Sequence, residues 1–230
     1  MTMKFSRYFL NRLENQPTHR DTVVVVDVLR AFTTAAVALA RGARAVYPIA
    51  SASAAAMLRH HLPGSLAAGA VAGGEPLPGF DCGNSPSELL ACQLDGRDVV
   101  LCTAAGVRGL QRFRRARALY AASLVCARAT AEAIRAAGAE DVCFVITGEW
   151  VDRNGDEDIA CADYIEALLC DESPDPAVFA RRALASDFGR HFGAAAYPHL
   201  PMADLHLACG VDRYDFAMPV ACDDERLVIR

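Results

Sequence analysis

Lysine is almost missing from this chain: Lys4 is the only one, and every other basic residue is an arginine. A P-loop needs G-x-x-x-x-G-K-[ST], with its lysine on the β- and γ-phosphates, and no such stretch exists, which excludes nucleotide triphosphate hydrolysis by that route. Although 53% of the residues are hydrophobic, no apolar run approaches the roughly 18 residues that a membrane span requires. The surplus belongs in buried strands and helix faces, and no membrane partner is expected. The nine cysteines contain no C-x-x-C pair and are odd in number. Most sit among apolar neighbours, as in VVLCTA and DVCFVI, and read as buried thiols of a reducing cytoplasm. No H-x-x-x-H or H-E-x-x-H occurs, so zinc is not expected. No G-x-G-x-x-G follows a strand, which sets aside a Rossmann-type oxidoreductase.

The net charge is −5. The richest basic stretch, RGLQRFRRAR (108–117), holds one aromatic and reads as the solvated face of a helix, so no nucleic-acid partner is expected. The opening MTMKFSRYFLNRLENQ places Asn11, Arg12 and Glu14 where a signal peptide needs a continuous apolar stretch, and a cytoplasmic location is the expectation.

At 230 residues the chain can bury a substantial core. β-rich runs at 22–28, 44–50, 65–71, 98–104, 117–123 and 141–147 alternate with helix-patterned segments at 32–42, 51–62, 84–94, 106–116, 129–138 and 156–169. Several of these end at a glycine suited to a left-handed cap, such as Gly42 and Gly138. This alternation predicts one α/β domain over 1–230, a three-layer α/β/α arrangement with a largely parallel or mixed sheet. The run TVVVVDV has no polar alternate face, as befits a strand buried on both sides. The tail differs: 172–186 predicts a proline-started helix, 187–213 reads as irregular, and 214–230 reads as two strands joined at CDDE.

Open parallel sheets collect ligands where strands end and the next helix presents unpaired N–H groups. Asp27 stands at such an end. Arg30 beyond it can offer a planar fork to an anion, and Thr33 and Thr34 can cap the helix or donate hydroxyls. An aspartate here also serves as a plain helix cap. Haloacid-dehalogenase phosphatases need a second aspartate two positions on; Leu29 occupies that place and cannot transfer a proton.

In AGGEPLPGFDCGNSPSELL (72–90), Glu75 and Asp81 are the acids ahead of the helix. Ser85-Pro86-Ser87-Glu88 forms an S-x-x-E capping box with proline at the first helical position, which accounts for Ser85 and Glu88 but not for Asn84. Two acids on a loop entering a helix suit Mg²⁺ through carboxylates and an anion through amides. LCTAAGVRG sets Thr103, Gly106 and Arg108 at another strand end. ITGEWVDRNGDEDIACAD brings Gly148, Glu149, Glu157 and Asp158 to a helix start, where the dipole alone favours carboxylates.

In order and spacing, VVVVDVLRAFTTAAVALARGA, GGEPLPGFDCGNSPSEL, VVLCTAAGVRGL, EDIACA and VDRYDFAMPV together resemble the 2-phosphosulfolactate phosphatase family, from about Val23 to Val220. The most specific pieces are D-V-L-R-A-x-T-T at Asp27 to Thr34 and G-F-D-x-G-N-S-P at Gly79 to Pro86. The resemblance implies a Mg²⁺-dependent phosphoric monoester hydrolase of α/β fold that removes phosphate from (R)-2-phospho-3-sulfolactate, a step towards coenzyme M. It carries over to Asp27, Arg30, Thr33 and Thr34, and to Asp81, Asn84, Ser85 and Glu88. We assign catalysis and Mg²⁺ to Asp27, Asp81 and Glu75. The anionic groups go to Arg30, Thr33, Thr34, Asn84, Ser85, Thr103 and Gly106.

Two loops depart from the family. Thr103-Ala104-Ala105-Gly106-Val107 stands where T-T-N-G-T is common, and Glu149-Trp150 follows Gly148 where Arg-Glu is usual. A lost arginine and a gained carboxylate predict affinity for a doubly anionic ligand weaker by a few kcal/mol where that loop touches it. The alternative is then a catalytically weakened relative that binds an anionic metabolite as a sensor or interaction protein. A homodimer is expected on the general frequency of symmetric dimers alone.

Overall fold

Four consecutive valines build the middle of one half of the sheet. The strand β2 (Thr22–Val26) is wholly buried, with Val23 and Val25 packed in one core and Val24 and Val26 in another. β-branched residues that fill both faces of a strand need a cover on each side, and this sets the layering. The computed structural model describes residues 3–12, 21–71, 73–151, 153–223 and 226–230.

Parallel strands β1 (Lys4–Phe9), β7 (Asp141–Ile146), β2 and β6 (Ala118–Ala122) lie side by side in that order. A second parallel group consists of β3 (Ala45–Ile49), β5 (Asp98–Cys102) and β4 (Leu66–Gly69). Between the groups runs an antiparallel hairpin, β10 (Met218–Asp223) and β11 (Arg226–Ile229), with β10 against β6 and β11 against β3. The resulting nine-stranded sheet is mixed. Three successive antiparallel pairings make the second group run opposite to β6 along the ladder. A two-stranded link between 118–122 and 45–49 is what departs from the parallel sheet that alternation alone suggests. The hairpin strands fall within 214–230 as expected, while Asp224 and Glu225 of the anticipated turn lie outside the described residues.

On one face α1 (Ala31–Ala40), α3 (Pro86–Leu89) and α4 (Ala105–Arg112) contribute Phe32, Leu89 and Leu110 to the core that holds Val23 and Val25. On the other, α5 (Ala127–Ala136), α6 (Asp156–Leu169), α7 (Pro176–Ala185) and α8 (Met202–Ala208) pack with Val24 and Val26. α2 (Ala52–His61) covers Val100 and Cys102 at the far end of the sheet. The fold is α/β in three layers.

α1 has no wet face. Residues Ala31 to Ala38 are all buried, and the helix packs against β3, β5, β6 and α3. Its alanines permit that close approach, and its two threonines satisfy their hydroxyls locally, Thr33 on Val28 O at 2.7 Å and Thr34 on Arg30 O at 3.0 Å. A helix apolar all round belongs in an interior, here the hollow of a sheet that bends around it.

Four elements were not read from the sequence. β1 is a polar edge strand, and α8 lies within the stretch read as irregular. A small hairpin, β8 (Glu149–Trp150) and β9 (Arg153–Asn154), precedes α6. Among the described residues no helix is long and apolar enough to cross a membrane.

Candidate active site

Asp27 ends β2 and joins two helices. Its Oδ1 accepts from the Ala31 N–H at the start of α1, and its Oδ2 from the Gly106 N–H at the start of α4, each at 3.0 Å. The carboxyl ends of β2 and β5 therefore meet although the ladder gives the two strands opposite senses, and a flat sheet would put those ends on opposite edges. Glycine is required at 106. A Cβ there would lie 2.7 Å from Asp27 Oδ2 and 2.9 Å from the Phe32 ring, with both neighbours held in place. Asp27 is 6% exposed and faces a cleft of about 420 Å³. Burial pushes its pKa up to about 6, against the two amide hydrogen bonds and the nearby charge of Arg153.

Asp158, in the first turn of α6, fixes the neighbouring strand ends. It accepts from Val28 N at 2.8 Å with Oδ1, and from Thr147 N and Gly148 N at 3.1 and 2.8 Å with Oδ2. Its pKa is raised by burial first, then by the charges of Glu157 and Asp27. Glu157 is also buried, with Oε2 lacking a hydrogen-bond partner among the described residues; burial lifts it to about 7, which the charge of Asp27 reinforces and Arg153 opposes. Three acids beside one cleft cannot all ionise freely.

The predicted residues separate into two sets. Asp27, Arg30, Asn84 and Thr103 line the cleft. Asp81 and Glu75 do not. Asp81 accepts from Ala67 N at 2.7 Å and pairs with Arg59 at 3.0 Å on the surface, its side chain 44% exposed. Glu75 is exposed on the loop after β4. The proposed convergence of Asp81 and Glu75 on Asp27 is thus corrected: the loop binds Asp81 to β4 and turns it towards α2. Thr33 and Thr34 are buried in α1, and the Thr33 hydroxyl also meets Ser123 Oγ at 2.6 Å, so neither reaches the cleft. Ser85 caps α3 as its box predicts, accepting from Glu88 N at 3.3 Å, and donates to Asp204 at 2.8 Å. The Glu88 carboxylate takes the Gly83 N–H at 2.7 Å. Gly106 serves Asp27 and leaves its amide no donor for substrate.

Arg30 borders the cleft, but its fork is occupied. Nη1 donates to Asp204 Oδ2 at 2.7 Å and to His199 O at 3.1 Å, and Nη2 to Gly74 O at 3.0 Å. Asp204 comes from α8, in the segment read as irregular, so no local pattern disclosed the pair. Arg153 was also missed. It lies on β9 with its guanidinium 4.6 Å from the centre of the Phe188 ring, and it lines the cleft with Arg108 and Thr147. Its signal was its position four residues before Glu157, in a loop already singled out.

Among the described residues, two buried oxygens on the cleft wall have no hydrogen-bond partner, Asn84 Oδ1 and Thr103 Oγ1. Such groups are costly to leave unsatisfied and mark places where a ligand completes the bonding. Ala104, which opens α4, supplies no side-chain cap; the Asp27 carboxylate takes the Gly106 N–H there instead, so the positive end of the helix already holds an anion, and Ala104 and Ala105 line the cleft beside it.

The departures from the family lie differently with respect to the cleft. Val107 is wholly buried in the core. Glu149 is held by Arg12, whose Nε lies 3.0 and 2.8 Å from its two carboxylate oxygens. The carboxylate gained after Gly148 is thereby neutralised. Ala105, Glu149 and Trp150 line the cleft.

Among the described residues no group of three or more His, Cys, Asp and Glu side chains is placed to hold a metal. The set Asp27, Asp81 and Glu75 does not fit one. Of the predicted site residues, Asp27, Asn84 and Thr103 keep side-chain oxygens on the cleft, which Glu149 and Thr147 also line.

A family model described as 2-phosphosulpholactate phosphatase matches residues 8–193, a stretch that includes Asp27, Asn84, Thr103 and Arg153 and stops short of Asp204. A protein named probable 2-phosphosulfolactate phosphatase from Carboxydothermus hydrogenoformans is 40% identical over 150 residues, 65% of this chain and 61% of that one. One of the same name from Deinococcus radiodurans is 37% identical over 150 residues, 65% of this chain and 62% of its own. A third, from Gloeobacter violaceus, is 36% identical over 161 residues, 70% and 68%. The matches span less than two thirds of the length of the first two relatives. With a family model covering most of its length, the chain belongs to the 2-phosphosulpholactate phosphatase family.

Proposed function

We propose that the protein is a phosphatase that hydrolyses a small, anionic phosphorylated hydroxy acid, with (R)-2-phospho-3-sulfolactate, giving 3-sulfolactate and phosphate, as the leading substrate. The reading draws on family membership and on one structural observation above all: Asp27 shares its cleft with Arg108, Arg153 and the buried oxygens of Asn84 and Thr103, which have no partner among the described residues. A phosphate monoester beside a carboxylate and a sulfonate repels hydroxide. Catalysis then depends on cations and N–H dipoles placed where charge develops around an in-line displacement. Arg108 and Arg153 supply the positive charge on the cleft wall, the Thr103 hydroxyl can donate a hydrogen bond that orients the ester, and Asp27 is the buried carboxylate that faces them.

Mg²⁺ dependence, implied by the resemblance, is retained as part of the proposal with a changed ligand set. Asp27, Asn84 Oδ1 and Thr103 Oγ1 are oxygen donors of the kind magnesium accepts while it keeps several waters and a substrate phosphate. When bound, such an ion supplies charge neutralisation at phosphoryl oxygens.

Purified protein incubated with Mg²⁺ and phosphosulfolactate, alongside a panel of phosphorylated hydroxy acids, is assayed for released phosphate against an Asp27→Asn control. Release by the wild type well above the control supports the proposal, and omission of Mg²⁺ tests the metal. No release above the control from any member of the panel refutes it.

A further inference from the structure

Outside the chemistry of the cleft, one pair of side chains among the described residues stands in reactive contact. Cys82 Sγ and Cys92 Sγ lie 3.2 Å apart, both half-buried and both reduced. They bracket the segment that brings Asn84 to the cleft wall and Ser85 and α3 to Asp204. The Cys82 backbone is pinned on β4: its N–H donates to Ala67 O at 3.2 Å and its carbonyl accepts from Gly69 N at 3.1 Å. Cys92 closes the turn after α3, donating its N–H to Leu89 O at 3.1 Å. A disulfide needs sulfurs at about 2.05 Å, so an approach of about 1 Å, within reach of side-chain rotation and loop give, makes the bond.

We propose that Cys82 and Cys92 form a reversible disulfide that staples the Asn84 loop, with a low-molecular-weight disulfide of the glutathione class as oxidant. The exchange balances in two steps. The Cys92 thiolate attacks one sulfur of oxidised glutathione, forming a mixed disulfide and releasing one glutathione thiolate. Cys82, already in contact, then attacks the Cys92 sulfur and displaces the second. Two electrons pass from the cysteines to the oxidant, and the two thiol protons end on the two released glutathiones. Burial, the Cys92 sulfur and the charges of Glu88 and Asp81 hold the Cys82 thiol up at about 12. The thiolate is the nucleophile, so Cys92 opens the reaction and Cys82 resolves it, helped by proximity. The proposal stands apart from the phosphatase reading: it needs only the loop and the two thiols.

Trypsin releases both residues in one peptide, 60–97, which contains no other cysteine. The full chain is equilibrated in glutathione buffers of graded ratio, quenched with acid and an alkylating agent, and digested. Peptide 60–97 should lose two hydrogens as the buffer becomes oxidising, take two alkyl groups after dithiothreitol, and show no loss in Cys92→Ser. The exposed Cys170 and Cys222 should take up glutathione singly. Oxidation should raise Tm by several degrees, because a cross-link restricts the unfolded chain, and Cys92→Ser should abolish that rise. Peptide 60–97 alkylated at both sulfurs at every ratio overturns the proposal. So does a product in which each cysteine carries its own glutathione.

Discussion

Asp204 holds Arg30. One carboxylate oxygen accepts from the guanidinium at 2.7 Å, and the other takes Ser85 Oγ at 2.8 Å and Ser87 N at 2.9 Å. Both side chains are shut off from solvent, at 2% and 0% exposure. A single acid from α8 thus fastens the start of α1 to the start of α3, and through α3 fixes the loop that presents Asn84.

Removing that acid leaves a buried guanidinium with only the Gly74 and His199 carbonyls. Asp204→Ala should lose roughly 3–5 kcal/mol of stability, read as a fall in the urea midpoint. Asp204→Asn keeps an acceptor and should lose less. A midpoint unchanged in Asp204→Ala would mean that the pair does not hold the fold together.

Gly106→Ala places a methyl 2.7 Å from Asp27 Oδ2. Overpacking of this kind costs about 1–3 kcal/mol, and Asp27 must shift. Phosphate release should drop by about 100-fold, the order lost when a reacting group moves by about 1 Å, while circular dichroism stays native. Full activity would show that Asp27 does not need this placement.

The pH dependence of stability should run against that of an ordinary salt-bridged carboxylate. Burial raises Glu157 from 4.5 to about 7 and Asp27 from 3.8 to about 6. Between those limits the folded chain binds more protons than the unfolded one, so their contribution is complete below about pH 4 and is lost as pH rises through about 6 to 7. Glu157→Gln cannot ionise. Its stability should exceed that of the wild type at pH 8 and lose less between pH 5 and 8, measured by denaturant midpoints at each pH. Parallel wild-type and variant curves would remove Glu157 as the cause.

Thr103 carries a buried hydroxyl without a partner among the described residues. Thr103→Val removes a polar group that the free protein leaves unsatisfied, so stability should hold or rise by up to about 1 kcal/mol. Affinity for inorganic phosphate, followed by calorimetry, should fall by about 10-fold, the equivalent of one hydrogen bond. Undiminished binding would take Thr103 out of the site.

What was legible in the sequence was local. The valine run, Ser85 as cap and Asp27 at a strand end depend on short-range pattern, and each occupies the structural place expected of it. What was not legible depends on partners distant along the chain. Arg30 has the right chemistry for an anion, but Asp204, 174 positions later, had already claimed it. Asp81 reads as a ligand until Ala67 N and Arg59 are seen on it. Asp158 reads as a dipole-favoured acid, yet its hydrogen bonds cross to β2 and β7. β1 escaped notice because Lys4, Ser6 and Arg7 give an edge strand a polar look, with burial only at Tyr8.

The hairpin of β10 and β11 follows every other strand in the chain yet occupies the middle of the sheet. During synthesis the two parallel half-sheets must therefore wait, each with an unpaired edge, until residues 218–229 emerge and zip them together. Contacts between such widely separated segments form slowly and leave edges exposed meanwhile. Shortening the chain before Met218 should leave two sticky half-sheets prone to pairing with neighbours.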